Sequence, residues 1–189
     1  MSGSPTPSTA GPAHGLATNS TAGRPGVDVK EFYAGLPTPV CIVTTYAADR
    51  APHATTVGSY CTVSLTPPIV LFCLLPGSHL LGHLDVGSSL RVHFASADDA
   101  DLVAAFAVKG GPRKFDGTAW TAEVDAPTLP GLNHLSGNVL EMVDIGDHVV
   151  LYVAVTGCTS TNSESAPLLY HRRSFGRFEG NDSWPPPTR

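Results

Sequence analysis

The fold of this chain is decided by residues 53–75, which read HATTVGSYCTVSLTPPIVLFCLL. Short hydroxyl side chains crowd the first part of this stretch and offer donors and acceptors beside exposed backbone amides. They are Thr55, Thr56, Ser59, Thr62 and Ser64. Pro67 and Pro68 end the polar segment, because proline lacks an amide proton and restricts the residue before it. Residues 69–75 are apolar throughout and short for a helix, so we predict a buried strand. The stretch is either a binding surface or an ordinary turn between two strands.

The composition is that of a folded protein. Hydrophobic residues make up 42% of the 189 residues and charged residues 14%, and this length can bury a sizeable core. A net charge of −5 with only 11 Lys and Arg argues against binding to the phosphate backbone of nucleic acids. No apolar run approaches the about 20 residues of a membrane span, and the N-terminus lacks a secretory signal pattern. The four cysteines are widely spaced among apolar neighbours and are predicted to be reduced core thiols in a cytoplasmic protein.

The chain divides into three segments. Residues 1–27 are rich in Ser, Thr, Gly, Pro and Ala without periodicity, so we predict a disordered N-terminal tail. Residues 28–179 form the predicted folded domain. Residues 180–189 form a predicted flexible C-terminal tail.

Within the domain the signals are mainly β. Strands are predicted at residues 40–46, 55–64, 69–75, 89–95, 138–143 and 148–158. Short helices are predicted at residues 78–84 and 98–109, the second with Ser96 as N-cap. About six strands without a βαβ rhythm favour a closed or nearly closed antiparallel barrel. No glycine-rich phosphate loop follows a strand, so a nucleotide would bind on the barrel itself.

Five segments, in this order, resemble the flavin reductase family, whose fold is an FMN-binding split barrel. They are residues 32–45 with Leu36-Pro37-Thr38, residues 52–68, Phe115-Asp116-Gly117 ahead of Trp120, Gly146-Asp147-His148, and Pro167-Leu168-Leu169-Tyr170-His171. The resemblance implies a mainly β, antiparallel Greek-key split barrel. It also implies an NAD(P)H-dependent reductase that transfers hydride to FMN or FAD and supplies reduced flavin to a separate monooxygenase.

The resemblance assigns the flavin to the hydroxyl-rich stretch. A flavin phosphate needs short donors, and the ring needs amides and an apolar wall. The implied contacts are Thr56, Val57, Gly58, Ser59, Thr62, Val63, Ser64, Ser78, His93, Lys114, Phe115, Tyr170 and Arg172.

Four residues depart from the family pattern that we expect, and each removes or replaces an implied flavin contact. They are Pro39, Gly58, Leu80 and His93. The departures leave three alternatives open: a different flavin, a weakly held flavin that leaves as product, or altered chemistry.

Hydride transfer between a nicotinamide and a flavin needs two stacked rings and no protein nucleophile. His148, oriented by Asp147, is therefore predicted to contact the nicotinamide or the reduced flavin; the alternative is a histidine that caps a turn. A basic cluster, His171, Arg172, Arg173 and Arg177, is either a phosphate contact or a solvated surface.

His79 and His83 lie four residues apart, as in a helical metal pair. A zinc site needs at least three protein ligands and none is nearby in sequence, so we predict no metal.

Two further functions remain open. One is a split barrel that uses tightly bound flavin directly on a small organic substrate. The other is a binding module for haem or another planar ligand, with His93 or His79 as axial ligand. We also expect a homodimer with a seam near residues 149–155. The sequence does not decide between FMN and FAD, or between NADH and NADPH.

Overall fold

The structure is a computed structural model that describes residues 28–108, 110–161 and 165–180. Its strands are β1 Thr38–Pro39, β2 Cys41–Tyr46, β3 Pro52–Val57, β4 Cys61–Leu65, β5 Pro68–Leu74, β6 Ser89–Phe94, β7 Asn133–Ile145, β8 His148–Thr159, β9 Leu168–His171 and β10 Ser174–Arg177. Its helices are α1 Val29–Ala34 and α2 Ala100–Ala107, with 3₁₀ turns at Leu81–His83, Ala97–Asp99 and Gly111–Phe115. Among the described residues, neither α-helix has the length and apolarity needed to cross a membrane. The two predicted tails, apart from Gly180, lie outside the described residues.

Seven strands form one antiparallel sheet in the order β3-β2-β6-β7-β8-β5-β4. Its two edge strands, β3 and β4, are consecutive in the chain and are joined by residues 58–60. Val57 of β3 and Val70 of β5 nevertheless belong to one buried cluster with Val92 of β6. Side chains from both ends of the sheet can share an interior only if the sheet curls into a barrel. The mainly β, antiparallel prediction is therefore confirmed.

Strand β2 is buried on both faces, with five consecutive buried residues from Cys41 to Thr45. Because side chains alternate along a strand, Cys41 and Val43 face the barrel interior, whereas Ile42 faces a second cluster. This second cluster includes Val103 and Phe106 of α2. Strand β2 thus ties the barrel to its helical layer.

The prolyl pair lies at the turn between two antiparallel strands, β4 and β5. The predicted strand at residues 55–64 is wrong as a single element, since it breaks at residues 58–60 into β3 and β4. The hydroxyl of Ser59 accepts from the amide of Cys73 (2.8 Å) and donates to its carbonyl (3.2 Å). At this break the Ser59 side chain thus makes the hydrogen bonds to Cys73 that a backbone partner makes elsewhere in the sheet.

The predicted helices are shorter in the structure. The segment at 78–84 holds only the 3₁₀ turn Leu81–His83, and α2 ends at Ala107, before Lys109, which lies outside the described residues. Ser96 caps the turn before α2, because its amide and hydroxyl both donate to the Asp99 carboxylate. The strand predicted at 138–143 extends over Asn133–Ile145.

A three-stranded sheet, β1-β9-β10, was not predicted. The β9–β10 hairpin turns through Arg172 and Arg173, both at positive φ (48° and 62°). Such turns usually carry Asn or Gly, so the sequence holds no turn signal there. Helix α1, capped by Asp28, was also missed, since it buries none of its residues.

The cysteines are free, but only Cys41 is fully buried. Cys73 is half-buried, and Cys61 and Cys158 are exposed, so the prediction of core thiols is wrong for those two. Cys61 lies on strand β4, whose residues are largely exposed. The apolar residues near Cys61 in the sequence did not indicate this exposure.

Candidate functional site

One cleft opens beside the break between β3 and β4. Its volume is about 610 Å³, within the range of small-molecule and cofactor sites. It is lined by residues 54–59, by residues 73–80 at the end of β5 and in the loop after it, by Ala107 and Val108 at the end of α2, and by Lys114 and His148. Elements distant in sequence therefore meet at the hydroxyl-rich stretch.

Gly58 lets the chain leave β3 close to β1. A Cβ at this position would lie 3.0 Å from the Thr38 hydroxyl oxygen. Thr56, which also lines the cleft, donates its hydroxyl proton to the Val103 carbonyl of α2 at 2.9 Å. That proton is committed to the protein, so Thr56 can offer a ligand only its oxygen as acceptor.

The cleft has no carboxylate among its described lining residues, and its fixed cation is Lys114. The Lys114 ammonium donates to the carbonyls of Ala54 (3.1 Å) and Phe106 (2.9 Å). Burial lowers the pKa of this lysine. Two of its three N–H groups are used by these carbonyls, which leaves one donor for a ligand. The lining therefore suits an anionic group.

His148 begins β8 and reaches the cleft. Its Nδ1 lies 2.7 Å from an Asp147 carboxylate oxygen, and this hydrogen bond lowers the pKa of Asp147. A neutral imidazole that donates from Nδ1 keeps Nε2 as an acceptor. The pair is exposed enough to meet solvent or a ligand, with 41% of the His148 side chain accessible.

A second cavity of about 440 Å³ shares its wall with the cleft. Thr56, Val57, Gly58 and Ala107 line both. On its far side lie residues of the small sheet, Tyr170, Arg173 and Phe175. The two cavities together offer room for two planar groups beside one stretch of backbone.

The structure brings together seven of the predicted site residues at the cleft. They are Thr56, Val57, Gly58, Ser59, Ser78, Lys114 and His148. Tyr170 lines the second cavity. Asp147 lies beside His148 without lining either cavity.

Three other predicted contacts, Thr62, Val63 and Ser64, lie on β4 outside both cavities. The strand breaks at residues 58–60, and β4 then forms the opposite edge of the sheet from β3. Arg172 occupies the β9–β10 turn, where its amide donates to the Ala34 carbonyl. Arg173 lines the second cavity in its place.

His93 and Phe115 are core residues. His93 is fully buried, and both ring nitrogens are hydrogen-bonded, to the Ile42 carbonyl (3.2 Å) and the Leu129 amide (3.1 Å). It can therefore serve neither as a flavin contact nor as an axial ligand without losing these bonds. Phe115 packs edge-on against Phe106 and Trp120. Leu80, one of the departures, is likewise buried.

Sequence reasoning missed the end of α2, Cys73 and His79 as lining residues. From the sequence, His79 was considered only as half of a possible metal pair and as a candidate axial ligand. The described residues contain no group of three or more His, Cys, Asp or Glu that could hold a metal ion.

Comparison with known proteins defines the class. Residues 33–179 match the family model for the flavin reductase like domain. This match covers most of the chain, so the chain belongs to the flavin reductase like domain family. The predicted family and its split-barrel fold are thereby confirmed.

Individual relatives are similar over most of their length. The chain is 29% identical to a flavin reductase (NADH) of Kitasatospora aureofaciens, over 76% of each chain. It is 30% identical to HsaB, the reductase subunit of a flavin-dependent monooxygenase in Rhodococcus jostii, over 80% of this chain and 77% of that protein. A solved nitrilotriacetate monooxygenase component B from Mycobacterium thermoresistibile is 26% identical, with a TM-score of 0.77, and the match covers 85% of this chain and 90% of that one.

Proposed function

We propose that this protein is an NAD(P)H-dependent flavin reductase that transfers hydride to FMN or FAD. The observation that carries the proposal is the carboxylate-free cleft with a second cavity along the same wall. When bound there, the flavin would supply the hydride-accepting ring, and the nicotinamide nucleotide would supply the hydride. The protein then has to hold two rings in contact and keep water away.

The residues present fit a phosphorylated, planar group. Ser59, Ser78 and Lys114 supply hydroxyl and ammonium groups, whereas Val57 and Leu74 supply apolar surface. The exposed backbone at Gly58 allows close approach of a ring. We assign His148, positioned by Asp147, to hydrogen bonding of the nicotinamide carboxamide or the reduced ring.

We further propose that the reduced flavin passes to a separate monooxygenase. In support, the HsaB relative is named as the reductase subunit of a flavin-dependent monooxygenase. A homodimer in the cytoplasm is part of the same proposal. The free cysteines of the described chain suit a reducing compartment. The apolar side chains of β8 face the barrel interior in alternation and include Val149, Leu151 and Val153. The alternate residues Val150, Tyr152 and Ala154 are half-buried, and a dimer seam on this strand would use that face.

The test is the flavin dependence of NADH and NADPH oxidation by the purified full chain, followed by the absorbance of the reduced nicotinamide. FMN, FAD and riboflavin are each added as acceptor. We expect turnover that requires added flavin; no flavin-dependent rate with either nicotinamide would refute the proposal. A yellow protein whose flavin survives gel filtration and is not bleached by NADH would instead support direct action on an organic substrate.

Lys114→Met tests the site itself. Because this change removes the cleft's fixed cation, we expect the KM for FMN to rise about tenfold, the equivalent of about 1.4 kcal/mol. Lys30→Met is the matched control, since Lys30 is an exposed lysine on α1. Equal KM values for FMN in the two variants would mean that the flavin phosphate does not bind near Lys114.

A further inference from the structure

Three histidines gather beside the cleft, where β3 meets the loop after β5, and one of them, His79, lines it. His53 of β3 stacks on His83, with ring centroids 3.8 Å apart and planes inclined by 45°. His79, from the same loop as His83, lines the cleft beside Ser78. We call His53, His79 and His83 the histidine cluster.

His53 is a buried histidine with an unsatisfied ring nitrogen. The residue is only 7% exposed, and its Nδ1 has no hydrogen bond in the structure. The protein itself therefore leaves a buried hydrogen-bonding atom of this ring unsatisfied. The neighbouring residue, Ala54, lines the cleft and accepts from Lys114. The stack thus joins the loop that carries Ser78 and His79 to the strand that holds Lys114.

Four titratable groups surround His53 and influence its protonation. Burial lowers the pKa of His53 most, and His83, His79 and Lys114 lower it further, whereas Asp49 of the β2–β3 turn acts in the opposite direction. Three basic neighbours therefore oppose a proton on this ring. A phosphate dianion in the cleft would reverse the local potential, since an anion nearby favours the charged form of an imidazole.

We propose that the histidine cluster selects phosphorylated flavins, because a bound phosphate dianion draws one proton from solvent onto its imidazoles. The inference rests on the proposed function and adds to it a preference for phosphorylated flavins. His79 lines the cleft and would meet the phosphate, whereas His53 and His83 position the loop. Since proton uptake and phosphate binding are linked, acidification strengthens binding of FMN and leaves riboflavin, which has the ring but no phosphate, unaffected.

The experiment measures dissociation constants of FMN and riboflavin by quenching of flavin fluorescence, at about pH 6.5 and about pH 8.5. We expect the preference for FMN over riboflavin to be several-fold larger at the lower pH, with a limit of about tenfold per pH unit for one proton. Calorimetry in two buffers of different ionisation enthalpy should show proton uptake near one for FMN and near zero for riboflavin.

Variants separate the cluster from the rest of the cleft. The double variant His79→Gln/His83→Gln should hold the FMN preference at its high-pH value and abolish proton uptake. His79→Lys supplies a permanent cation and should keep the preference for FMN at both pH values. Lys30→Gln removes an exposed charge on α1 and should behave as wild type. Circular dichroism spectra matching wild type show that each variant is folded.

Two results would overturn the inference: an FMN preference in the wild type that does not change with pH, or a change that survives in the double variant. If riboflavin is bound and reduced while the preference stays constant, only this inference fails. If neither flavin binds, the proposed function fails with it.

Discussion

Acid should destabilise this protein through His93, because its buried ring must stay neutral to keep its two hydrogen bonds. The Leu129 amide donates to Nε2 at 3.1 Å, so Nε2 must keep its lone pair. Nδ1 then carries the proton and donates to the Ile42 carbonyl at 3.2 Å. A protonated ring would set an N–H against the Leu129 N–H. Burial, opposed in part by the Ile42 carbonyl, lowers the pKa of His93 to about 3.

The sign and magnitude follow from linkage. In the unfolded chain a histidine titrates at about 6.5, so below that pH the unfolded state binds a proton that the native state refuses. The stabilisation is present above about pH 6.5 and is lost as the pH falls towards 3. Between about pH 7 and about pH 5 the loss amounts to about 2 kcal/mol of unfolding free energy.

Urea unfolding of the wild type and of His93→Gln at both pH values measures this loss. The wild type should lose about 2 kcal/mol more than the variant on acidification, because other histidines contribute equally to both. Equal losses would refute the assignment of His93 as an obligatorily neutral ring. If His93→Gln does not fold, nitrogen NMR of the wild type gives the same answer: the His93 ring should remain the neutral Nδ1–H tautomer at about pH 5.

Two further stability predictions concern close packing and a buried hydrogen bond. Gly137→Ala should destabilise the protein by about 1–3 kcal/mol in urea unfolding, because its Cβ would lie 2.5 Å from the Ala154 carbonyl oxygen; Gly157→Ala, with nothing within 4 Å, is the control, and equal losses would contradict the packing argument. Thr44→Val should cost about 1–3 kcal/mol, since the buried Thr44 hydroxyl donates to the Pro127 carbonyl at 2.7 Å. Thr44→Ser keeps the donor, so a Ser variant as unstable as Val would assign the loss to packing instead.

The features that could be predicted from the sequence were those that depend on residues close together in the chain. The β-branched run of β2 and the apolar run of β5 specify strands by their own composition, and the order of the segments was enough to identify the family. The break at residues 58–60 was missed, because it depends on the hydroxyl of Ser59 meeting Cys73 across the sheet. The β9–β10 hairpin was missed because Arg172 and Arg173 carry its positive-φ turn.

Burial explains most of the errors at the site. A strand that is covered on both faces shows no alternation, so the sequence could not show that His93 faces a core rather than a ligand. Alternation also does not reveal which strand lies at a sheet edge, and Thr62, Val63 and Ser64 were therefore assigned to the cleft with their neighbours. His79 reaches the cleft only because the loop after β5 folds back on β3, a contact between distant segments.

The stretch from His53 to Leu75 has two distinct roles in the structure. Its first seven residues include the buried His53 and the cleft wall at residues 54–59, and its last residues form β5 and the return to the cleft at Cys73. The hydroxyl-rich segment between them is an edge strand and a turn. The turn interpretation is therefore correct for part of the stretch, and the binding-surface interpretation stays a prediction for residues 54–59, which line the cleft. Under the proposed function, the chemical specificity of the cleft depends on Lys114 and the histidine cluster more than on the hydroxyl groups that first identified it.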